Sequence, residues 1–398
     1  MRFYVSSMHP HVSLEYRDAA APHYYLISDN QSFVDAFNLF MREIWVGRTN
    51  VNTVRTYAYA LLDWFRYAQA EELQLEDVRR SNIVNYVLRL QGAANPQRAK
   101  RSPSSPKPGS VNEHTGKKHL PEGYQASTIA LRISVLRRFF EILIAEGRGP
   151  ATSPVPPAGR GFRPEKNQIR YRRISAFVPS PPQRSAHAIP EALLKRFRSE
   201  ARCARDSALI ECLYSTGARA AEVIAITYED VLWKEQAVFL QTKGRAVKEK
   251  VAASRIFFER LKVYLDERGE RLRPGDYIWV VRRGATRPMT YPALRAVIQG
   301  MNRRFGSNVT LHDFRSTCAV QMARNPLIPL LTIRDQMRHT NLSTTQRYMD
   351  SGRIEDFSLL QKHLDDDSHT SLPIVESVEY DQDDLATIFG HINERGSE

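Results

Sequence analysis

The sequence has little cysteine and no long apolar run. Among 398 residues the only cysteines are Cys203, Cys212 and Cys318, with neither the C-x-x-C spacing of a zinc site nor the even number of a disulfide framework. We therefore expect no metal and a reducing cytoplasm. No apolar stretch approaches the ~18 residues of a membrane span, and the N-terminus lacks a signal-peptide pattern. We expect neither a membrane partner nor export.

Positive charge, by contrast, is abundant. The chain has 57 Lys and Arg against 44 Asp and Glu, a formal net charge of +13 and a pI near 9.7. This balance favours a polyanionic partner such as nucleic acid. Charge alone does not decide the function, because many basic proteins bind no nucleic acid specifically.

The acidic residues are concentrated at the C-terminus. Residues 364–398 contain ten Asp and Glu and one basic residue, Arg395, so a polyanion that attracts the rest of the chain would repel this tail. Its end has the apolar spacing of one helical face, following two aspartates at a favourable N-terminal position. The apolar residues are Leu385, Ile388, Phe389 and Ile392. A short helix is marginal alone, so we expect it to dock on protein, either in the same chain or in a neighbouring subunit.

The chain length favours two domains. Residues 1–30 hold only short β-favouring pieces and are interpreted as an extension of uncertain structure. Residues 31–147 show helical periodicity and predict a small helical domain. Its three apolar stripes are Phe33, Phe37, Phe40 and Ile44; then, after an Asn52 cap, Val54, Tyr57, Leu61, Trp64 and Phe65; then Ile129, Ile133, Leu136, Phe140 and Leu143.

Two segments are poor in apolar residues. Residues 92–123 are rich in Pro, Ser, Gly and basic residues, and we predict a flexible basic insertion. Residues 148–188 are rich in Pro and Arg and form a linker between domains. This linker is either a solvated tether or a strap that follows a DNA groove.

From residue 189 to 363 the pattern predicts a second, mainly helical domain with a little β structure. Two helices are expected over 190–214, and two short strands over 237–241 and 247–252, joined by a turn at 242–245. Thr310 with Asp313 caps another helix, and residues 343–346 match a capping box.

Three short motifs in this domain carry potential chemistry. Arg219 and Glu222 are three residues apart, as are His312 and Arg315, so each pair shares a helical face. An Arg held by a carboxylate is a pre-positioned phosphate ligand. The third motif is the segment that ends in Tyr348. Taken singly, each motif has an ordinary alternative. The first could be a surface ion pair, the second a satisfied histidine beside a surface arginine, and Tyr348 could be half-buried packing.

The order of these residues resembles the tyrosine recombinase (phage-integrase) family. That family has an Arg in a T-G-x-R-x-x-E segment, a Lys on a β-hairpin, an H-x-x-R motif, and a His or Trp nine residues before a Tyr. This chain has all of them in order, as Arg219, Lys243, His312 with Arg315, His339 and Tyr348. The resemblance covers residues 190–350. Two neighbours depart from the pattern: Ser316 replaces a frequent His, and Arg338 replaces the Gly that usually precedes the histidine.

The resemblance implies a mechanism. Tyr348 would attack a DNA phosphodiester, giving a 3′-phosphotyrosine and a free 5′-hydroxyl, and the stored bond would allow rejoining without ATP. Arg219 and Arg315 would stabilise the charge on the nonbridging oxygens. Lys243 would protonate the leaving 5′ oxygen. His312 and His339 would contribute hydrogen bonds or proton transfer, Glu222 would orient its neighbours, and no metal or cofactor is needed.

The resemblance also implies a fold and partners. It predicts a helical core-binding domain and a mixed α/β catalytic domain with a small antiparallel sheet, closing as a C-shaped clamp on double-stranded DNA. Family members work as homo-tetramers on two recombination sites, a dimer per site, through a Holliday junction. We expect a nucleoid-associated enzyme of integration, excision or transposition. The basic residues predicted to contact DNA are Lys100, Arg101, Lys107, Arg132, Arg137, Arg138 and Arg245.

Other functions remain as alternatives. A metal-dependent transposase or nuclease would need clustered carboxylates, and the densest group, Asp365 to Asp367, is consecutive and lies in the tail. A type IB topoisomerase shares much of the chemistry, but the Thr-Gly-Ala-Arg box and the two-domain length favour a recombinase. A DNA-binding protein that lost catalysis would not need all the catalytic residues.

Overall fold

A computed structural model describes residues 12–17, 23–47, 50–95, 106–155, 187–242, 247–281, 286–325 and 327–339. The chain divides into two compact units, 1–184 and 185–398, and the division falls within the segment 148–188. Within the described ranges, no helix is both long and apolar enough to cross a membrane.

In its described part, the first unit has four α-helices that share an aromatic core. They are α1 Gln31–Val46, α2 Val51–Ala70, α3 Arg80–Gly92 and α4 Ala126–Ala145. The three predicted helices are confirmed, and their largest apolar side chains are fully buried. The predicted cap of α2 is wrong by two residues: Asn50 is the cap, and its side chain accepts a hydrogen bond from the Asn52 amide at 3.0 Å. Helix α3 was not predicted.

A β-hairpin precedes these helices. Strands β1 Ser13–Tyr16 and β2 Tyr24–Ile27 pair antiparallel. Tyr24 and Leu26 are buried in the same core as the helices, and Arg66 on α2 donates to the Val12 carbonyl at 2.9 Å. The described part of residues 1–30 therefore belongs to the helical domain. Four-residue strands are too short to show a decisive alternation in sequence.

Part of the basic insertion is ordered, contrary to the expectation of flexibility. In the described stretch 106–123, the Asn112 amide donates to the Lys117 carbonyl at 2.9 Å and the His119 amide donates to Ser110 at 2.8 Å. Thr115 is buried among these bonds. Local hydrogen bonds thus replace the missing apolar core. Lys107 is exposed, whereas Lys100 and Arg101 lie outside the described residues.

Arg132, which the sequence suggested as a DNA contact, is instead committed to the interior of its domain. Its Nη1 lies 2.5 Å from Asp63 Oδ2, which also accepts a bond of 2.7 Å from the Tyr86 hydroxyl. The Arg132 guanidinium also lies over the Tyr124 ring at 4.3 Å. Burial, and then the Asp63 charge, raise the pKa of Tyr86, so the phenol stays a neutral donor. This network joins α2, α3 and α4.

The second unit has seven helices and one small sheet in its described part. The helices are α5 Glu191–Ser199, α6 Ala204–Thr216, α7 Ala220–Ile224, α8 Arg255–Arg268, α9 Tyr291–Phe305, α10 Leu311–Ala323 and α11 Leu330–Met337. The antiparallel sheet has the order β3-β4-β5, with β3 Val231–Leu232, β4 Ala237–Gln241 and β5 Lys248–Ala252. The two predicted strands are confirmed, β5 starting one residue later than expected. The mostly helical fold with small sheets is also confirmed.

Helix α6 ends against two other helices. Gly217 terminates it in the left-handed region, with φ +58°. A Cβ at this position would lie 2.7 Å from Met337 Sδ and 3.2 Å from Cys318 Sγ. Met337 is fully buried, so it has little room to move away. The left-handed backbone and the close approach of α10 and α11 therefore favour glycine here.

We predict that Asp63→Ala destabilises the first unit by about 2 kcal/mol, because the buried Tyr86 hydroxyl and the partly buried Arg132 guanidinium lose their acceptor. The measurement is the urea midpoint for hydrogen-exchange protection of peptides from α2 and α4. Glu15→Ala, which removes an exposed partner of Arg17, serves as the control and should leave that midpoint unchanged. Equal midpoints for both variants would contradict the structural role of Asp63.

We predict that Gly217→Ala costs about 3 kcal/mol, combining left-handed backbone strain with overpacking against Met337. Gly269 is the matched control, since it also ends a helix at φ +67° but has open space around its Cβ position. Gly269→Ala should cost only about 1 kcal/mol, from the backbone alone. Urea unfolding of the second unit distinguishes the two, and equal losses would refute the close approach at Gly217.

Candidate active site

Arg219 is oriented by a buried carboxylate. It stands at the start of α7, immediately after the helix junction at Gly217, and its Nη1 lies 2.8 Å from Glu222 Oε1. The Arg219 amide donates to the other oxygen of Glu222, also at 2.8 Å. The Glu222 side chain is 2% exposed and that of Arg219 is 39% exposed. The pair is therefore no solvated surface ion pair: a buried anion holds a cation that still reaches solvent.

Arg315 supplies a second guanidinium near the same junction. It projects from α10 and is only 2% exposed. Its Nη1 donates to the Gly217 carbonyl at 2.7 Å, and its Nη2 donates to the Met337 carbonyl. Arg315 thus joins the end of α6, which leads to Arg219, to the end of α11. It is not a surface arginine, whereas His312, one turn earlier on α10, is exposed.

His339 lies two residues beyond the last residue of α11 and is buried. Burial lowers its pKa to about 4, and the positive charges of Arg315, Arg219 and Arg338 and the nearby His312 act in the same direction. At neutral pH the imidazole is therefore uncharged and can offer one donor and one acceptor nitrogen. The structure brings His339 within electrostatic reach of both predicted catalytic arginines.

Arg338 was noted in the sequence only as a departure from the family pattern. It ends α11 with φ +52°, in the left-handed region. Its side chain is fully buried, and Nη2 lies 2.8 Å from Glu222 Oε2. Burial alone would raise the pKa of Glu222, but the charge of Arg338 and the hydrogen bonds from Arg219 outweigh it and lower that pKa. The sequence signal was a charged residue at a helix end where glycine is usual.

Strand β5, which follows the turn predicted to carry Lys243, is hydrogen-bonded to α11. Gln336 Nε2 donates to the Ala252 carbonyl at 2.8 Å, and the Ala252 amide donates back to Gln336 Oε1 at 3.0 Å. This places β5 beside the helix that leads to Arg338 and His339. Lys243, Arg245 and Tyr348 themselves lie outside the described residues, as do residues 343–346 and the acidic tail.

The described site can recognise a phosphodiester. Two guanidiniums with fixed orientation match the charge and geometry of phosphate oxygens, and a neutral imidazole beside them can pass or hold a proton. In the described part of the chain, no group of three His, Cys, Asp or Glu residues is placed to hold a metal ion.

Comparisons with known proteins point to the same chemistry. A sequence model of the phage integrase family matches residues 187–353. The tyrosine recombinase XerC of Vibrio parahaemolyticus is 28% identical over 242 residues, which cover 60% of this chain and 72% of XerC.

Two solved structures share the fold. The Tn1549 transposon integrase in complex with circular intermediate DNA has a TM-score of 0.55 at 15% identity, covering 80% of this chain and 98% of that one. A lambda integrase dimer bound to a core site has a TM-score of 0.54 at 16% identity, covering 81% and 96%. Residues 187–353 therefore match the phage integrase family, and the chain is similar to tyrosine recombinases, enzymes of DNA strand cleavage and rejoining.

Proposed function

We propose that this protein is a site-specific DNA recombinase that acts through a 3′-phosphotyrosine at Tyr348 in integration, excision or transposition of a mobile element. The observation that supports this most directly is the convergence of Arg219, Arg315 and neutral His339 at one helix junction, around the buried Glu222. The substrate is double-stranded DNA at recombination sites in the cytoplasm.

The chemistry follows from these groups. The Tyr348 oxygen attacks the phosphorus, a new O–P bond forms, and the bond to the 5′ oxygen breaks. Arg219 and Arg315 stabilise the negative charge that builds on the nonbridging oxygens. His312 and His339 hydrogen-bond the phosphate or accept the proton that the Tyr348 hydroxyl loses on attack, and Lys243 donates a proton to the leaving 5′ oxygen. Attack by a 5′-hydroxyl on the phosphotyrosine reverses these steps and releases Tyr348.

DNA binding outside the reaction centre involves basic side chains of the first unit, and Arg245 of the second unit. Arg138 is exposed on α4, and Arg137 beside it is half-buried, with its pKa lowered by burial. Lys107 stands on the ordered part of the insertion. Together with Lys100, Arg101 and Arg245, these residues supply sequence-independent phosphate contacts. Arg132 is removed from this set because Asp63 holds it inside the domain.

The working assembly is a homo-tetramer on two DNA sites, coupled through the acidic tail. The second unit has a cleft of about 720 Å³ whose lining includes Ala293, Val297 and Met301 on α9, with Arg202 and Arg303 nearby. This lining mixes apolar side chains with arginines and one aspartate, Asp206, which is paired with Arg205. The remaining arginines complement the tail, which carries Leu385, Ile388, Phe389 and Ile392 amid acidic residues. We place the tail in this cleft of a neighbouring subunit, so that assembly and delivery of the tyrosine are linked.

Tyr348→Phe removes only the attacking oxygen, so we predict DNA affinity within about three-fold of wild type and complete loss of the covalent adduct. The probe is a set of duplexes that the wild-type protein selects from a random-sequence library, followed by denaturing electrophoresis. Tyr291→Phe, on an exposed tyrosine of α9, is the control and should form the adduct normally.

An adduct that persists in Tyr348→Phe would identify a different nucleophile. A wild-type protein that binds these duplexes without any adduct would be a non-catalytic DNA-binding protein. Adduct formation with plasmid relaxation but without strand exchange would favour a type IB topoisomerase.

Truncation after His363 should leave binding to a single site largely intact and impair tetramer assembly and complete recombination. Two point variants separate docking from simple loss of length. Phe389→Asp places a charge on the apolar face and should reproduce the truncation, whereas Thr387→Asp adds the same charge to the opposite face and should not. The measurements are band-shift stoichiometry and strand exchange; normal synapsis by the truncated protein would exclude docking between subunits.

A further inference from the structure

Arg338 is a buried cation in an unfavourable backbone conformation. Its φ of +52° lies in the left-handed region, where glycine is preferred. A strained position of this kind persists when surrounding contacts hold it, and such positions are often functional. Here the contacts come from the Arg338 side chain itself, which is fully buried and bonds Glu222 and the Gln336 carbonyl, the latter at 2.6 Å.

Glu222 has a complete set of donors only because Arg338 is present. One carboxylate oxygen accepts from the Arg219 guanidinium, and the other accepts from the Arg219 amide and from Arg338 Nη2. Without Arg338, this buried carboxylate would keep a single cationic partner, Arg219, whose side chain is 39% exposed. Removing one partner of a buried ion pair leaves the remaining charge poorly compensated. The position of Glu222, and of the arginine that it holds, would then be less well defined.

Arg338 is also the residue immediately before His339 along the chain. The charged and titratable groups that act on the imidazole are Arg315 and His312 from α10, Arg219 from the start of α7, and Arg338. Arg338 therefore contacts the anion of the site and adds to the positive field at the imidazole.

We infer that Arg338 is a positioning residue of this recombinase, which fixes Glu222, and through it Arg219, for contact with the scissile phosphate. The effect of Arg338 on the reaction rests on the proposed function. Arg338 acts through Glu222 and not by direct contact with the phosphate. Its side chain is fully buried and is hydrogen-bonded to Glu222 and to the Gln336 carbonyl of its own helix.

The alternative is a purely structural arginine that anchors the end of α11. Among the described residues, its Nε is buried and has no hydrogen-bond partner. A structural role predicts a change in stability only. A positioning role predicts, in addition, a slower chemical step and an altered titration of His339.

The test uses Arg338→Gly, which restores a residue suited to the left-handed conformation, and Arg338→Lys, which keeps the charge and loses the planar fork. We expect Arg338→Gly to bind selected duplexes within about three-fold of wild type and to form the covalent adduct about 100-fold more slowly, the scale of losing one preorganised donor. Arg338→Lys should recover part of this rate.

The pH dependence supplies a readout that anchoring alone would not change. His339 has a pKa of about 4 in the wild type, and loss of the neighbouring positive charge raises it. The imidazole then becomes protonated at a higher pH, so the acid limb of adduct formation moves to higher pH in Arg338→Gly and stays near the wild-type position in Arg338→Lys. NMR titration of labelled histidines, with His339 assigned by His339→Asn, follows the same shift without requiring any activity.

A double-variant cycle tests the route through Glu222. If Arg338 acts by fixing this carboxylate, Glu222→Gln combined with Arg338→Gly should be no slower than the slower single variant. Additive losses, or a wild-type rate and titration in Arg338→Gly, would overturn the inference. A wild-type protein without any adduct would refute the proposed function instead, while the histidine titration would still report on Arg338.

Discussion

The catalytic unit is organised around one buried negative charge. Glu222 lies between Arg219 and Arg338, with Arg315 bonded to the same helix junction. Guanidiniums concentrated in a small volume repel one another and lose hydration. A single desolvated carboxylate compensates for part of this cost, and its short α7 helix connects directly to the glycine on which α6, α10 and α11 meet. Fold and reaction centre therefore depend on the same contact.

The phosphate of a DNA strand would complete this electrostatic arrangement. In the protein alone, the cluster has more positive than negative charge, and this charge adds to the effect of burial in lowering the pKa of His339. A bound phosphodiester would add the missing anion in front of the arginines, opposite to Glu222 behind them. The site is thus preorganised for a ligand of one charge, and little reorganisation is required when more negative charge develops.

Much of this could be predicted from the sequence. Apolar stripes such as that of Phe33 to Ile44 located the helices, because a helical face repeats within a short window. Motif spacing placed Arg219 with Glu222 for the same reason. Tertiary contacts could not be predicted in this way. Arg132 shares a helix with other basic residues, and only the distant Asp63 reveals that it is internal.

The role of Arg338 depends similarly on a partner 116 positions away along the chain. The sequence showed an unusual residue at that point, but the left-handed turn and the buried carboxylate are needed to explain it. Short elements were hard to predict for another reason: the strands of the first hairpin have only four residues each. Their assignment depends on burial against the helices more than on local pattern.

The two hydrogen bonds between the Gln336 side chain and the Ala252 backbone have a consequence for solubility. Strand β5 is an edge of its sheet, and free edges offer backbone groups that can recruit strands from other molecules. At Ala252 both the amide and the carbonyl are occupied by the Gln336 side chain, which imitates a neighbouring strand. At this position the protein is thereby protected from unintended edge-to-edge pairing with strands of other molecules.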